Sequence, residues 1–197
     1  PNPIEADVEA GAAFYIEHEC DGLLALGGGS AMDVAKVIRF FASHPAPLAQ
    51  YSILDNGGAK ITGALPPFYA VPTTAGTGSE VGRGAVITLR DTGRKTLFVA
   101  PPLMPTIAVL EPVLTAGLPP HLTAATGIDA FTHCLESYFA PVYHPMADGV
   151  ALEGIRLCLA HLNAAVTDGQ DLASRAQMQM AASMGAVAFQ KDLGMVH

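Results

Sequence analysis

Strands and helices alternate through the first part of this 197-residue chain and helices alone follow, which points to an α/β domain succeeded by an all-α domain. Short apolar runs bounded by glycine or proline recur until just before Pro119 and Pro120. Beyond that pair the strand signals stop and apolar residues return every three or four positions. The division predicts domains at residues 1–118 and 119–197, the length permitting one large core or two smaller ones.

Each element has its own signal. Residues 4–20 read as a helix, with Val8, Ala12 and Ile16 at helical spacing. Residues 22–26 form a five-residue apolar run between glycines and read as a buried strand. A glycine turn leads to a helix over 30–42, whose stripe is Ala31, Val34, Ala35 and Ile38. Residues 68–71 give a second buried strand, and 84–89 with 95–100 give two strands joined by the turn Asp91-Thr92-Gly93. Residues 106–110 give the last strand. Helices follow over 122–139, 146–166 and 172–190, rich in Ala and Met on more than one face, as suits helices enclosed by other helices.

Half of the residues are apolar and 14% are charged, against about 25% in an average soluble domain. That composition excludes disorder. A monomer of this mass exposes roughly 8,800 Å², and 10 basic with 18 acidic residues cover it thinly. Part of the surface is therefore expected to be buried, in a homo-oligomer such as a dimer or against further chain. The net charge of −8 and the lack of a basic stripe argue against nucleic acid. The apolar runs are interrupted before the length of a membrane span, so no membrane partner is expected. Cys20, Cys134 and Cys158 are too few and too scattered for a disulfide framework, which fits a reduced, cytoplasmic setting. The chain starts at Pro1 without an initiator Met and stops at His197 after an apolar stretch, so both ends read as cut from a longer polypeptide.

Three segments carry candidate chemistry. Gly27-Gly28-Gly29-Ser30 joins a strand to a helix, with Asp33 three residues on. Ser30 and Asp33 can form a capping box there, and the glycines open the backbone N–H groups to an anion. The spacing is not G-x-G-x-x-G. The second segment, residues 73–80, follows another strand and places the hydroxyls of Thr73, Thr74, Thr77 and Ser79 beside Gly76 and Gly78. Hydroxyls with open backbone suit phosphate or ribose oxygens, and two such loops at strand ends lie where α/β sheets hold ligands. The third segment carries Asp129 and His133, four apart on one helix face, a pair that serves either an ordinary ion-paired helix or a divalent metal. Glu136 can join them, and His197 is a further candidate ligand.

The order of these blocks, Gly27 to Ser30 with Asp33 and Lys36, then Pro72 to Glu80, Gly127 to Glu136 and Gly194 to His197, resembles the iron-containing (group III) alcohol dehydrogenases from Pro1 to His197. The resemblance implies the dehydroquinate synthase-like fold of that family, an α/β nucleotide-binding domain followed by a helical metal-binding domain. It implies NAD or NADP contacts at Gly28, Gly29, Ser30, Asp33, Thr73, Thr74, Thr77, Ser79 and Lys95. Asp129, His133 and His197 match three ligands of one divalent metal, Fe2+ first and Zn2+ second, and through that metal they would be the catalytic residues. The family's fourth ligand lies beyond the end of this sequence. The expected activity is NAD(P)-linked, metal-dependent oxidation of a small primary alcohol or reduction of the aldehyde. Polyol oxidation, as in glycerol dehydrogenases, is the enzymatic alternative, and a non-catalytic fragment with an incomplete metal site is the other.

Overall fold

The computed structural model describes residues 3–192. The chain divides into two compact units, Pro1–Val71 with Gly82–Val109, and Pro72–Val81 with Leu110–His197. Contacts thus group the hydroxyl-rich segment Pro72–Val81 with the helices, whereas the sequence reading runs a first domain continuously to residue 118.

The first unit contains helix α1 (Glu5–Glu17), strand β1 (Leu23–Gly27), helix α2 (Gly29–Phe41), strand β2 (Phe68–Pro72, its last residue grouped with the other unit), strands β3 (Gly84–Thr88) and β4 (Lys95–Val99), and the short strand β5 (Ile107–Ala108). β1, β2 and β5 form one sheet in that order, with β2 and β5 parallel and Tyr69 opposite Ile107. β3 and β4 form an antiparallel hairpin running from Gly84 opposite Val99 to Thr88 opposite Lys95.

α2 organises this unit because two of its faces are apolar. Met32 and Ala35 pack with Ala25, Phe68 and Ala70 of the three-stranded sheet. Val37 and Phe40 pack with Ile87 and Phe98 of the hairpin. Each fully buried phenylalanine contributes about 2–3 kcal/mol of transfer free energy. Polar anchors reinforce both faces. Arg39 donates to the carbonyls of Pro66, Pro102 and Met104 at 2.5, 3.0 and 3.1 Å, and Lys36, fully buried, donates to the Gly84 carbonyl at 2.9 Å.

Two expectations for this unit are corrected. β1 is not buried on both sides, since Leu24 and Leu26 are 67% and 56% exposed while Ala25 between them is buried. Successive strand side chains point to opposite faces, and α2 covers only the face that Ala25 occupies. On α1, Val8 and Ala12 are buried as the periodicity predicts, but Ile16 in the last turn is exposed.

The second unit is built on α3 (Pro120–Phe139), α4 (Pro145–Thr167) and α5 (Leu172–Ala188), close to the predicted spans. Proline in the first turns of α3 and α4 costs no hydrogen bond, because N–H groups there have no intrahelical acceptor. The His144 ring nitrogen Nδ1 caps α4 by accepting from the Ala147 N–H. Asp171 caps α5 by accepting from Ser174 N–H at 3.0 Å. The shared core, Ala130, Leu157, Cys158, Ala165, Met178, Ala181 and Ala182, is mostly small, which lets the helices approach closely. α4 is long and apolar enough to cross a bilayer by length and composition alone, with a mean hydropathy of 1.2. Here Ala151, Leu157 and Cys158 of α4 are buried within the unit.

Candidate functional site

In the first unit the candidate residues gather at the start of α2. The N-cap is Gly28, so the helix begins before Ser30 and the predicted Ser30–Asp33 capping box does not form. Ser30 is instead exposed in the first turn, and Asp33 Oδ2 accepts the Val86 N–H at 2.9 Å, fastening α2 to β3. The first intrahelical bonds run from Ala31 and Met32 to the Gly28 carbonyl, which leaves the N–H groups of Gly29 and Ser30 ahead of the ladder. Those donors and the positive end of the helix dipole suit an anionic oxygen. Lys95, exposed at the start of β4, stands opposite Thr88 in the hairpin.

In the second unit the hydroxyl segment follows β2 and is held against α5. Thr73, Thr74 and Thr77 are half-buried, while Ser79 and Glu80 are buried. Thr77 Oγ1 accepts the Ser79 N–H at 3.3 Å, which tightens the turn. Gly78 has φ +63°, the left-handed region that favours glycine, and a Cβ there would lie 2.6 Å from the Ala182 carbonyl.

On α3, Asp129 and His133 project from one face, with Oδ1 and Nε2 3.7 Å apart. His133 is nearly enclosed, its side chain 9% exposed, whereas Asp129 is open at 33%. The His133 ring meets Phe189 edge-on at 5.1 Å, a contact that fixes its plane. Among the described residues no group of three or more His, Cys, Asp or Glu side chains is placed to hold an ion, so Glu136, itself buried, does not complete such a set. His197 lies outside the described residues.

Comparison with known proteins identifies the chain. Residues 1–112 match the family described as iron-containing alcohol dehydrogenase, and residues 123–197 match the C-terminal part of the Fe-containing alcohol dehydrogenase family. The chain belongs to the iron-containing alcohol dehydrogenase family. It is 52% identical to a 4-hydroxybutyrate dehydrogenase of Cupriavidus necator, over the whole of this chain and 51% of that protein. The crystal structure of a 1,3-propanediol oxidoreductase superposes with a TM-score of 0.93 at 39% identity, covering 98% of this chain and 50% of the other. A sulfoacetaldehyde reductase from Bifidobacterium kashiwanohense, solved in complex with NAD+, gives a TM-score of 0.88 at 32% identity, covering 98% of this chain and 51% of the other. The chain thus spans about half the length of the relatives it matches, and over that half its fold is that of the iron-containing alcohol dehydrogenases.

The residues fit the groups this family implies. One carboxylate and one imidazole, separated by 3.7 Å on one helix face, are donors of the borderline kind that Fe(II) and Zn(II) take, and would furnish two ligands of such a site. The first turn of α2, open at Ser30 and Ala31, fits a phosphate. What sequence reasoning missed is the support on α5, where Gln179 and Ser183 face the hydroxyl segment. Their sequence signal is two polar residues spaced four apart, which marks a shared helix face but not the partner that face meets.

Proposed function

We propose that this chain supplies the nucleotide-facing turn, the hydroxyl loop and part of the metal site of an NAD(P)-linked alcohol dehydrogenase. Its substrate is a short primary alcohol, or the corresponding aldehyde, whose far end carries a second polar group. The observation that carries the reading is the Asp129–His133 pair, 3.7 Å apart, within the unit that also holds the hydroxyl loop. The substrate class is supported by the related proteins' names, which specify a hydroxy acid, a diol and a sulfonated aldehyde.

A divalent cation bound at this pair would supply Lewis acidity toward the alcohol oxygen, and a nicotinamide would accept the hydride. The chain's own residues prepare that chemistry. Asp129 contributes a negative charge that balances the ion, and its exposure leaves a route for entry. His133 offers a ring nitrogen from a nearly dry position, where electrostatic interactions are less screened than in water. The Gly29 and Ser30 N–H groups would take the cofactor phosphates. The hydroxyls of Thr73, Thr74 and Thr77 would orient the adjoining oxygens, and Asp33, Ser79 and Lys95 remain candidates beside them. We place the protein in the cytoplasm as a homo-oligomer, a reading supported by its free thiols and by exposed apolar residues such as Leu24 and Leu159.

The test is an assay of the intact protein with NAD and with NADP against 4-hydroxybutyrate, 1,3-propanediol and ethanol, before and after chelation. Chelator-sensitive reduction of the nucleotide, fastest with the two longer substrates, is expected. Turnover that ignores the chelator would defeat the metal assignment, and a preference for ethanol would defeat the substrate class.

A further inference from the structure

α5 touches both the hydroxyl loop and the helix that bears the metal pair. Toward the loop it presents side chains at positions 179, 183 and 190, four and then seven residues apart and so on one helix face. Gln179 Nε2 donates to the Pro72 carbonyl at 3.3 Å, Ser183 Oγ donates to Glu80 Oε1 at 2.7 Å, and Gln190, just past the helix end, donates to the Val81 carbonyl at 3.1 Å. Gly78 packs between these bonds, against Ala182 and Ala186. The loop is therefore held at its beginning, near its end and at its last residue.

Toward α3 the same helix presents its neighbouring face. A Cβ on Gly185 would lie 3.1 Å from His133 Cβ and 3.3 Å from the Ala130 carbonyl, so the backbones are in close approach beside the metal pair. Gln179 and Ser183 are 1% and 7% exposed. Buried polar side chains carry a desolvation cost that only their hydrogen bonds offset.

We infer that α5 is a positioning helix, and that Ser183 and Gln179 set the hydroxyl loop in register with Asp129 and His133. This rests on the reading of the loop as a nucleotide contact. Ser183 bonds the loop at Glu80, so its effect on nucleotide binding is transmitted through Glu80 and the loop backbone.

The test uses the intact protein with NADH as the probe, followed by titration, metal content and thermal unfolding. Ser183→Ala is expected to weaken NADH binding by about ten-fold with metal content unchanged, and Ser183→Thr, which keeps the hydroxyl, to restore it to within about three-fold. Thr74→Ala and Thr77→Ala report on the underlying reading and are expected to weaken NADH binding directly. If they do so while Ser183→Ala leaves the affinity intact, the positioning role is overturned and the nucleotide reading stands. If neither threonine variant changes the affinity, the nucleotide reading fails and the inference fails with it. Parallel loss of NADH, metal and thermal stability in Ser183→Ala, or a threonine as damaging as the alanine, would reduce Ser183 to packing and overturn the proposal.

Discussion

Asp129 Oδ1 and His133 Nε2 stand 3.7 Å apart across one turn of α3, within ion-pair range but longer than a hydrogen bond between them. Two donor atoms held side by side by helix geometry can address a common third centre, and the positions four apart ensure this without any loop. The burial of His133 against Phe189 and beneath Gly185 gives the pair one stiff member and one accessible member.

Gly78→Ala is expected to cost about 1–3 kcal/mol. The left-handed backbone penalises any Cβ, and this one would press on the Ala182 carbonyl. Thermal or denaturant unfolding checks the value. A change within 0.5 kcal/mol, the range of about any neutral surface substitution, would contradict the described seating of the loop on α5.

Arg39→Met is expected to destabilise the chain by about 3 kcal/mol, since it strands the three carbonyls that the guanidinium serves. Arg39→Lys should recover only part of the loss, because an ammonium lacks the planar fork that reaches diverging acceptors. Denaturant midpoints of the two variants measure the difference.

The thiols supply a pH prediction. Burial pushes the Cys134 thiol up to about 12, with the charge of Cys158 adding to the effect, and burial pushes Cys158 up to about 11. An unfolded thiol ionises near 9.0, so between that pH and 11 to 12 the unfolded chain releases protons that the folded chain keeps. The contribution is fully present below pH 9 and is lost as pH rises through the window, at no more than about 1.4 kcal/mol per pH unit for each thiol. Unfolding at pH 8 and pH 10.5 checks the sign. At pH 8 alkylation of the folded protein should mark the half-buried Cys20 and spare the two buried thiols, as read by peptide mass.

Much of this architecture is legible in the sequence because periodicity reports local structure directly. The three long helices and the hairpin about Asp91-Thr92-Gly93 fall near the predicted spans, since their apolar residues repeat every three or four positions or are stopped by turn residues. What periodicity cannot carry is the identity of the partner. The run 22–26 is apolar throughout, and only the structure shows α2 covering the Ala25 side while Leu24 and Leu26 stay open. Ser30 has the side chain of a cap, but the helix starts at Gly29, and Asp33 is drawn to Val86 from 53 residues away. The Asp129–His133 pair is readable because both residues share one helix, whereas the link from Glu80 to Ser183 spans 103 residues and leaves no local trace.

The most direct test of the account is the metal content of the intact protein and of its Asp129→Ala and His133→Ala variants after exposure to Fe2+ or Zn2+. The account predicts one ion per chain in the unmodified protein and, in each variant, a loss of affinity beyond the roughly 10- to 100-fold typical of removing an outer-shell partner, with the fold retained. Full metal occupancy in both variants would contradict it.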